Sequence, residues 1–533
     1  MKKLGLYLVE ALAAQGVRHV FGIPGVHNVE LYRGLAGGPI RHVTGRHEQG
    51  LGFMADGYAR ASGRPGVCLT ITGPGLTNIA TAMGQAYGDS IPLLVISSQN
   101  KRGEAGSGRG FLHELPDQLG LARQVAAEGY AIGAPAALPE ALERAFARFA
   151  GGRPRPVYLE VPLDVLAMDA TGLPLPKAPS PPRAAGLAPL AAAAARLKAA
   201  RRPVVLAGGG ALRAADEIRR LVEHLDAPLV MTVNARGLLP PGHPLAVPMS
   251  PSLQPVRELV AAADAVLAVG TEIGPTDYDM YAQSDFPSPP GLIRVEIDPA
   301  QMRRSAEPAV ALEGDARATL AALLAQDLGA ARASGGAERA AAANRASLGA
   351  IARLAADYPR HLALLDSIRD ALPTALLVGD STQLVYAGNL GFNAASPGSW
   401  FNSATGYGTL GYALPASTGA GLAAPERPVV CLVGDGGLQF SMSEFAVLRE
   451  VDAWSCVLIW NNHGYGEIKS AMLQSGVTPE GVDVQPPDFE HLSRAYGYAY
   501  RRIADREALG GALRDFGARR QVLVLEIAAA DFA

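Results

Sequence analysis

Short runs rich in Val, Ile and Leu recur along this chain between helical patterns, and this alternation constrains the fold more than any other feature. In the amino-terminal third the runs are VCLTITG at 67–73, PLLVISS at 92–98 and RPVYLEV at 155–161. Continuous apolar runs of this length suit strands covered on both faces, as in parallel sheets flanked by helices. PVVLAGGGAL, APLVMTV, AVLAVGTEI and LIRVEIDP repeat the pattern within 190–325. ALLVGDS, PVVCLVGDGG, SCVLIWNN and QVLVLEI repeat it within 345–533. The pattern predicts an α/β fold of three successive α/β domains with mainly parallel sheets, over 1–170, 190–325 and 345–533. The first and third domains could share an architecture.

The proline-rich stretch LPLPKAPSPPRAAGLAP at 173–189 continues neither helix nor strand and reads as an extended linker. A second break is expected at Ser334, Gly335 and Gly336, within an alanine-rich segment that could be partly helical. A length of 533 residues suits two or three such units, and 49% hydrophobic against 18% charged residues excludes a disordered chain. The 47 basic and 50 acidic residues nearly balance at a net charge of −3, with no basic block to neutralise phosphates, so no nucleic-acid partner is expected.

Cys68, Cys431 and Cys456 lie far apart inside apolar runs, which suits packing rather than disulfides and fits a reducing cytoplasm. The start, MKKLGLYLVEALAAQGV, has the two lysines of a signal peptide. Yet Leu4, Leu8 and Leu12 recur at helical spacing, Glu10 interrupts the run, and VRHVFGIPG follows as strand and turn, so an amphipathic helix is expected. The uncharged stretch 67–88 contains Pro74, Asn78, Gln85 and several glycines, which make a poor membrane span. No membrane partner is expected.

The most specific signal is Gly434-Asp435-Gly436-Gly437 after PVVCLV, paired with Asn461-Asn462 after SCVLIW. Both fall at carboxyl ends of predicted parallel strands, where open α/β sheets bind ligands. The 27 positions from Asp435 to Asn462 accommodate a crossover that would set the two loops side by side. The intervening SMSEFAVLREV reads as a helix capped by Ser441, with Glu444 completing a capping box. An Asp carboxylate, an Asn carbonyl and a backbone carbonyl of the HGYG turn supply three hard oxygen ligands suited to Mg²⁺. Alone, GDG is a tight turn and NN a hairpin or a cap; their combination at this spacing points to a metal site.

Residues 434–466, GDGGLQFSMSEFAVLREVDAWSCVLIWNNHGYG, resemble the thiamine-diphosphate motif of acetolactate synthases, pyruvate decarboxylases and benzoylformate decarboxylases, which begins GDG and ends NN. The resemblance implies thiamine diphosphate and Mg²⁺ as cofactors, with Asp435, Asn462 and the backbone oxygen of Gly464 as metal ligands. It puts Gly434, Gly436, Gly437 and Tyr465 in the cofactor loops, and Ser381 and Thr382 of VGDSTQ at the diphosphate. Residues 46–78, RHEQGLGFMADGYARASGRPGVCLTITGPGLTN, resemble the amino-terminal signature of the same family, and Glu48 matches its activating glutamate. A carboxyl group bonded to the pyrimidine ring favours the imino tautomer, whose nitrogen can take the thiazolium C2 proton. In GYGTLGYALPA, Leu410 matches the apolar wedge that folds the two rings together, and Gly408 the residue whose carbonyl accepts from the amino group. Outside such a motif, Leu410 would read as core and Glu48 as a helix-start acid or a partner of Arg46.

The resemblance spans the chain as a pyrimidine-binding domain, a Rossmann-like middle domain and a diphosphate-binding domain. In the family the pyrimidine domain of one subunit faces the diphosphate domain of another, which implies a homodimer at least, with a homotetramer formed from two dimers. Members attack a 2-oxo acid and release CO₂, and differ in whether a proton, a second carbonyl or an oxidant then receives the electron pair. His27 in GIPGVHN and His113 in FLHELPDQ could move protons or hold the carboxylate, or be structural. Val26 stands where pyruvate decarboxylase has a catalytic Asp, and FLHE replaces its paired histidines, so acetaldehyde release from pyruvate is not expected. FLHELPDQ also departs from the FQE-type segment of acetolactate synthases.

GGGALRA after PVVLA looks like a dinucleotide loop but lacks an identified ribose-binding acid, so FAD is admitted by the glycine turn and not expected. The motifs together look most like the 5-guanidino-2-oxopentanoate decarboxylase subgroup, a carbon-carbon lyase yielding an aldehyde and CO₂. Glu467, beside Val26 and His113 as a candidate substrate residue, could receive the guanidinium; otherwise it is a first-turn acid favoured by the helix dipole. An acetolactate-type carboligase and a catalytically silent cofactor-binding scaffold are the alternatives.

Overall fold

A computed structural model describes residues 1–280, 288–530 and 532. They form three six-stranded parallel sheets with helices between the strands. The first contains β1 (His19–Gly22), β2 (Arg41–Thr44), β3 (Gly66–Thr70), β4 (Leu93–Gln99), β5 (Glu128–Ala131) and β6 (Val157–Pro162). The second contains β7 (Pro203–Ala207), β8 (Leu229–Met231), β9 (Ala246–Val247), β10 (Ala265–Val269), β11 (Ile293–Glu296) and β12 (Val310–Glu313). The third contains β13 (Leu376–Gly379), β14 (Trp400–Asn402), β15 (Val429–Gly434), β16 (Ser455–Asn461), β17 (Ala499–Ile503) and β18 (Val522–Ala528).

The first sheet runs β2-β1-β3-β4-β6-β5 and the third β14-β13-β15-β16-β18-β17, the same order once each is counted from its own first strand. The expectation that these two regions could share an architecture is met. The middle sheet runs β12-β11-β10-β7-β8-β9, the doubly wound dinucleotide-domain order. In every sheet the four interior strands are those that the sequence predicts, eleven from apolar runs and β1 from VRHVFGIPG, and both edge strands escape prediction. Edge strands β2, β5, β12 and β17 each leave residues exposed or half-buried, while β9 and β14 are buried but only two and three residues long. An apolar run is the signature of a strand covered on both faces, so short or half-covered edges do not carry it.

Helix α1 (Leu4–Ala14) buries Leu4, Leu8 and Leu12 in the core of the first sheet, as the amphipathic pattern predicts. The stretch from 173 is extended but tied down, with the Tyr7 hydroxyl donating to the Pro174 carbonyl at 2.6 Å and Gln15 Nε2 to that of Pro176 at 3.0 Å. It ends earlier than predicted, because Leu187–Ala199 is already helical and buries Leu190, Ala193, Ala194 and Leu197. The segment at Ser334 leads into a 19-residue helix, Gly336–Leu354, and the amides of Ser334 and Gly336 both donate to the Asp226 carboxylate.

The chain falls into two compact units, one of 1–180, 406–502 and 519–530, the other of 181–405, 503–518 and 531–533. In the first, α2 (Glu48–Ser62) crosses a later helix, α4 (Ala413–Ala423), almost backbone to backbone; α3 is Pro74–Gly88. A Cβ on Gly419 would lie 1.8 Å from the Met54 carbonyl oxygen, and one on Gly57 2.0 Å from that of Ala416. Only glycine fits at both points of the crossing. Cys68, Cys431 and Cys456 are buried free thiols. Among the described residues no helix is long and apolar enough to cross a membrane.

Candidate active site

Parallel strands β15 and β16 pair with Gly434 opposite Trp460, which brings the GDG and NN loops side by side. Asp435 opens a single helical turn, Asp435–Leu438, and is fully buried. Its carboxylate accepts from the backbone N–H of Asn462 at 3.2 Å and of Gly464 at 3.0 Å. Burial raises its pKa, and those two amides work against the rise. Gly464 has φ +138°, and a Cβ there would strike the Val482 carbonyl oxygen at 2.2 Å, so this turn requires glycine. The Gly464 carbonyl oxygen faces the GDG turn, 3.7 Å from where a Cβ on Gly436 would stand, and the Tyr465 ring packs on the same glycine.

Among the described residues no three His, Cys, Asp or Glu side chains converge as a metal site. The candidate set is therefore one carboxylate, Asp435, with the neutral oxygens of Asn462 and Gly464. That donor set fits a Mg²⁺ ion whose remaining ligands are phosphate oxygens and water.

The crossover differs from its prediction. It is a 3₁₀ turn, Met442–Glu444, followed by a short helix, Phe445–Glu450, and the Ser441 side chain makes no cap bond. Glu444 does not fold back on that turn. It is fully buried and accepts from the backbone N–H groups of Arg46 at 3.0 Å and His47 at 2.9 Å, just ahead of α2. A side chain on Gly50 would collide with it, a Cβ lying 2.4 Å from Glu444 Oε1. Burial pushes the Glu444 carboxyl up to about 7 against those amides.

Glu48 is the first residue of α2, half-buried, and its Oε2 accepts from Asn78 Nδ2 on α3 at 2.9 Å. Arg46 is not its partner; that guanidinium reaches Glu450 and the Thr44 carbonyl. Sequence reasoning singled out neither Asn78 nor the contact of Glu444, although Asn78 closes the same signature.

His27 and His113, 86 positions apart, meet with ring centroids 5.1 Å apart and planes at 80°. His27 lies in a 3₁₀ turn, Val26–Tyr32, after β1, and His113 is held at φ +63°. Burial lowers the His27 pKa, and the neighbouring His113 lowers it further while Glu104 opposes. The His113 loop rests on a buried polar cluster centred on Gln118. Its Oε1 accepts from the Thr72 hydroxyl and the Gly73 amide, both at 2.8 Å, and its Nε2 donates to the Tyr158 hydroxyl at 2.9 Å. Gln118 ends the FLHELPDQ segment, so its position was visible but its role was not. Val26, by contrast, is 84% exposed.

Gly408 and Gly411 have φ near +77° and +78°, and between them Leu410 is half-buried while Thr409 is buried. Ser381 and Thr382 follow β13 in the second unit, where the Ser381 amide donates to Asp380 and Thr382 precedes the helix Gln383–Gly391. Glu467 is half-buried in the first turn of α5 (Gly466–Gln474), a helix with no buried residue. In the middle sheet, a Cβ on Gly208 would lie 2.4 Å from the Gly270 carbonyl oxygen and one on Gly210 2.9 Å from the Gly270 Cα. Close approach of two backbone segments thus accounts for these glycines without a bound dinucleotide.

Comparison with known proteins agrees with this arrangement. The thiamine pyrophosphate enzyme N-terminal TPP binding domain matches residues 2–121, the central domain 190–323 and the C-terminal TPP binding domain 380–527. The probable 2-ketoarginine decarboxylase AruI of Pseudomonas aeruginosa is 49% identical, over 98% of this chain and 93% of that protein. The acetolactate synthase isozyme 1 large subunit of Escherichia coli is 31% identical over 88% and 84% of the respective chains, and the probable acetolactate synthase large subunit of Methanocaldococcus jannaschii 30% over 98% and 90%. With three family domains matched in order and paired strand ends presenting its GDG and NN motifs, the chain belongs to the thiamine-pyrophosphate enzyme family.

Proposed function

We propose that this protein decarboxylates 5-guanidino-2-oxopentanoate, the 2-oxo acid of arginine, to the corresponding aldehyde and CO₂, with thiamine diphosphate and Mg²⁺. The observation that carries this reading is 49% identity along nearly the whole chain to a probable 2-ketoarginine decarboxylase, well above the 31% and 30% to acetolactate synthases.

When bound, thiamine diphosphate supplies the nucleophilic carbon and the electron sink for loss of the carboxylate. Asp435, Asn462 and the Gly464 carbonyl hold the Mg²⁺, and Ser381 and Thr382 contact the diphosphate. Glu48 holds a proton at the pyrimidine ring; Asn78 engages its Oε2, which leaves Oε1 for that contact. The Gly408 carbonyl would accept from the amino group, and Leu410 would pack against the cofactor. His27 and His113, whose rings meet, hold the substrate and pass a proton drawn from water to the carbonyl carbon in place of CO₂. Glu467 receives the guanidinium.

A homodimer at least, built into a homotetramer, is the proposed assembly. It is supported by the family assignment, since in that family the pyrimidine domain of one subunit faces the diphosphate domain of another. The free buried thiols support a cytoplasmic location.

The test is a panel of 2-oxo acids incubated with the protein, thiamine diphosphate and Mg²⁺, with CO₂ and organic products identified by mass spectrometry. The expected result is preferential turnover of 5-guanidino-2-oxopentanoate to the aldehyde. Acetolactate from pyruvate, without CO₂ release from the guanidino acid, would overturn it in favour of a carboligase. No product from any acid would leave a silent scaffold.

A further inference from the structure

The segment that presents Leu410 is anchored on both sides by a buried polar cluster. Before Leu410, the Thr409 amide and hydroxyl both donate to Gln85 Oε1, at 3.3 and 3.2 Å. Gln85 is fully buried on α3, and its Nε2 donates to the Asp89 carboxylate at 2.8 Å. Asp89 also accepts from Arg60 at 2.6 Å, and Arg60 pairs with Asp56 at 2.7 Å. After Leu410, the hydroxyl of fully buried Tyr412 donates to that same Asp56. The chain of contacts therefore leaves Thr409, passes through Gln85, Asp89, Arg60 and Asp56, and returns at Tyr412, with half-buried Leu410 between its two ends.

Two carboxylates and one guanidinium, each with a side chain at most 6% exposed, are costly to bury, and an apolar cluster of the same shape would hold the fold as well. What such a cluster adds is directional constraint on the groups it bonds. Asp56 and Arg60 lie on α2, and Gln85 lies on α3; the same two helices carry Glu48 and Asn78.

We propose that Gln85, backed by Asp89, Arg60 and Asp56, is a positioning residue that fixes the Gly408–Tyr412 segment so that Leu410 is presented at one height to the cofactor. The inference rests on the reading of Leu410 as the residue beneath the folded rings. Gln85 is fully buried and acts through Thr409.

Two measurements test it without substrate. One is amide hydrogen exchange across 406–412 in the cofactor-free protein; the other is the rate of C2-proton exchange of bound thiamine diphosphate, read by NMR after acid quench. In Gln85→Leu the Thr409 amide loses its acceptor, so its exchange should speed up and C2 exchange should slow, each by about tenfold, while the cofactor dissociation constant stays within about threefold. Thr409→Val, which keeps the amide bond and loses the hydroxyl, should give a smaller change in the same direction, and Thr409→Ser should restore wild-type rates. If Gln85→Leu does not fold, the Val and Ser pair carries the test. Native C2 exchange in folded Gln85→Leu, or in Thr409→Val when that pair carries the test, overturns the proposal. A wild-type protein that binds no thiamine diphosphate overturns the reading of Leu410 and the proposal with it.

Discussion

Helices α4 and α5 both follow a candidate site loop in the first unit, yet they lie at opposite extremes of burial. In α4, directly after Leu410, every residue from Ala413 to Ala420 is buried, and Gly419 rests against the backbone of α2. In α5, directly after Gly464 and Tyr465, none is buried. The segment proposed to meet the cofactor is locked by backbone packing within one chain. The segment proposed to meet the substrate is held by few contacts and can change without disturbing the core.

If that division holds, the largest effect should come from the acid at the start of α2. Glu48→Gln keeps the shape and the Asn78 contact but cannot share its proton as the acid does. Turnover should fall by about 10²- to 10⁴-fold with cofactor affinity nearly unchanged. The measurement is kcat beside a thiamine diphosphate titration, and near-native turnover would remove Glu48 from the mechanism.

The packing half of the comparison is tested by adding one methyl to each helix. Gly419→Ala puts a Cβ 1.8 Å from the Met54 oxygen, so α2 and α4 must part, at a cost near the upper end of about 1 to 3 kcal/mol. Gly466→Ala in α5, a helix with no buried residue, should change stability by no more than about 0.5 kcal/mol. Thermal or denaturant midpoints of the two variants compare them directly, and equal losses would mean that the two helices are held alike.

The same contrast separates what was legible in the sequence from what was not. Eleven of the twelve interior strands carry continuous apolar runs and could be read, as could β1 from the turn that follows it and the GDG–NN pair, because parallel neighbours place their carboxyl ends together. Edge strands could not, being half-exposed or very short. Glu444 was misread because S-x-x-E looks the same whether the Glu caps its own turn or reaches a backbone some 400 positions away; here two amides at Arg46 and His47 outcompeted the local cap. The meeting of His27 with His113 depends on how two loops settle, which no local pattern records.

Glu444 also gives the comparison a pH signature. Its carboxyl is raised from 4.5 to about 7 in the folded chain, so between these values the folded state keeps a proton that the unfolded state has lost. The stabilisation is fully present below about pH 4.5 and lost as pH rises through about 7, with an upper bound of about 3 kcal/mol. Glu444→Gln lacks this titration. The melting temperature of the wild type relative to the variant should therefore fall from pH 5 to pH 7.5, and parallel curves would mean that the carboxyl titrates normally.

The smallest effect is expected at Glu467, on the open side of the comparison. A charge-assisted bond to a guanidinium contributes roughly 1.5 to 3 kcal/mol when desolvated. Glu467 is only half-buried on a helix without buried residues, so the lower end applies, or about tenfold in selectivity. Glu467→Gln should lower kcat/KM for 5-guanidino-2-oxopentanoate by about that factor and leave an uncharged 2-oxo acid of similar length almost unaffected. Salt should narrow the difference, because a charge open to solvent is screened. If both substrates fall together, Glu467 supports the loop that begins α5 rather than reading the substrate; if neither falls, it is a first-turn acid and the guanidinium must be received elsewhere.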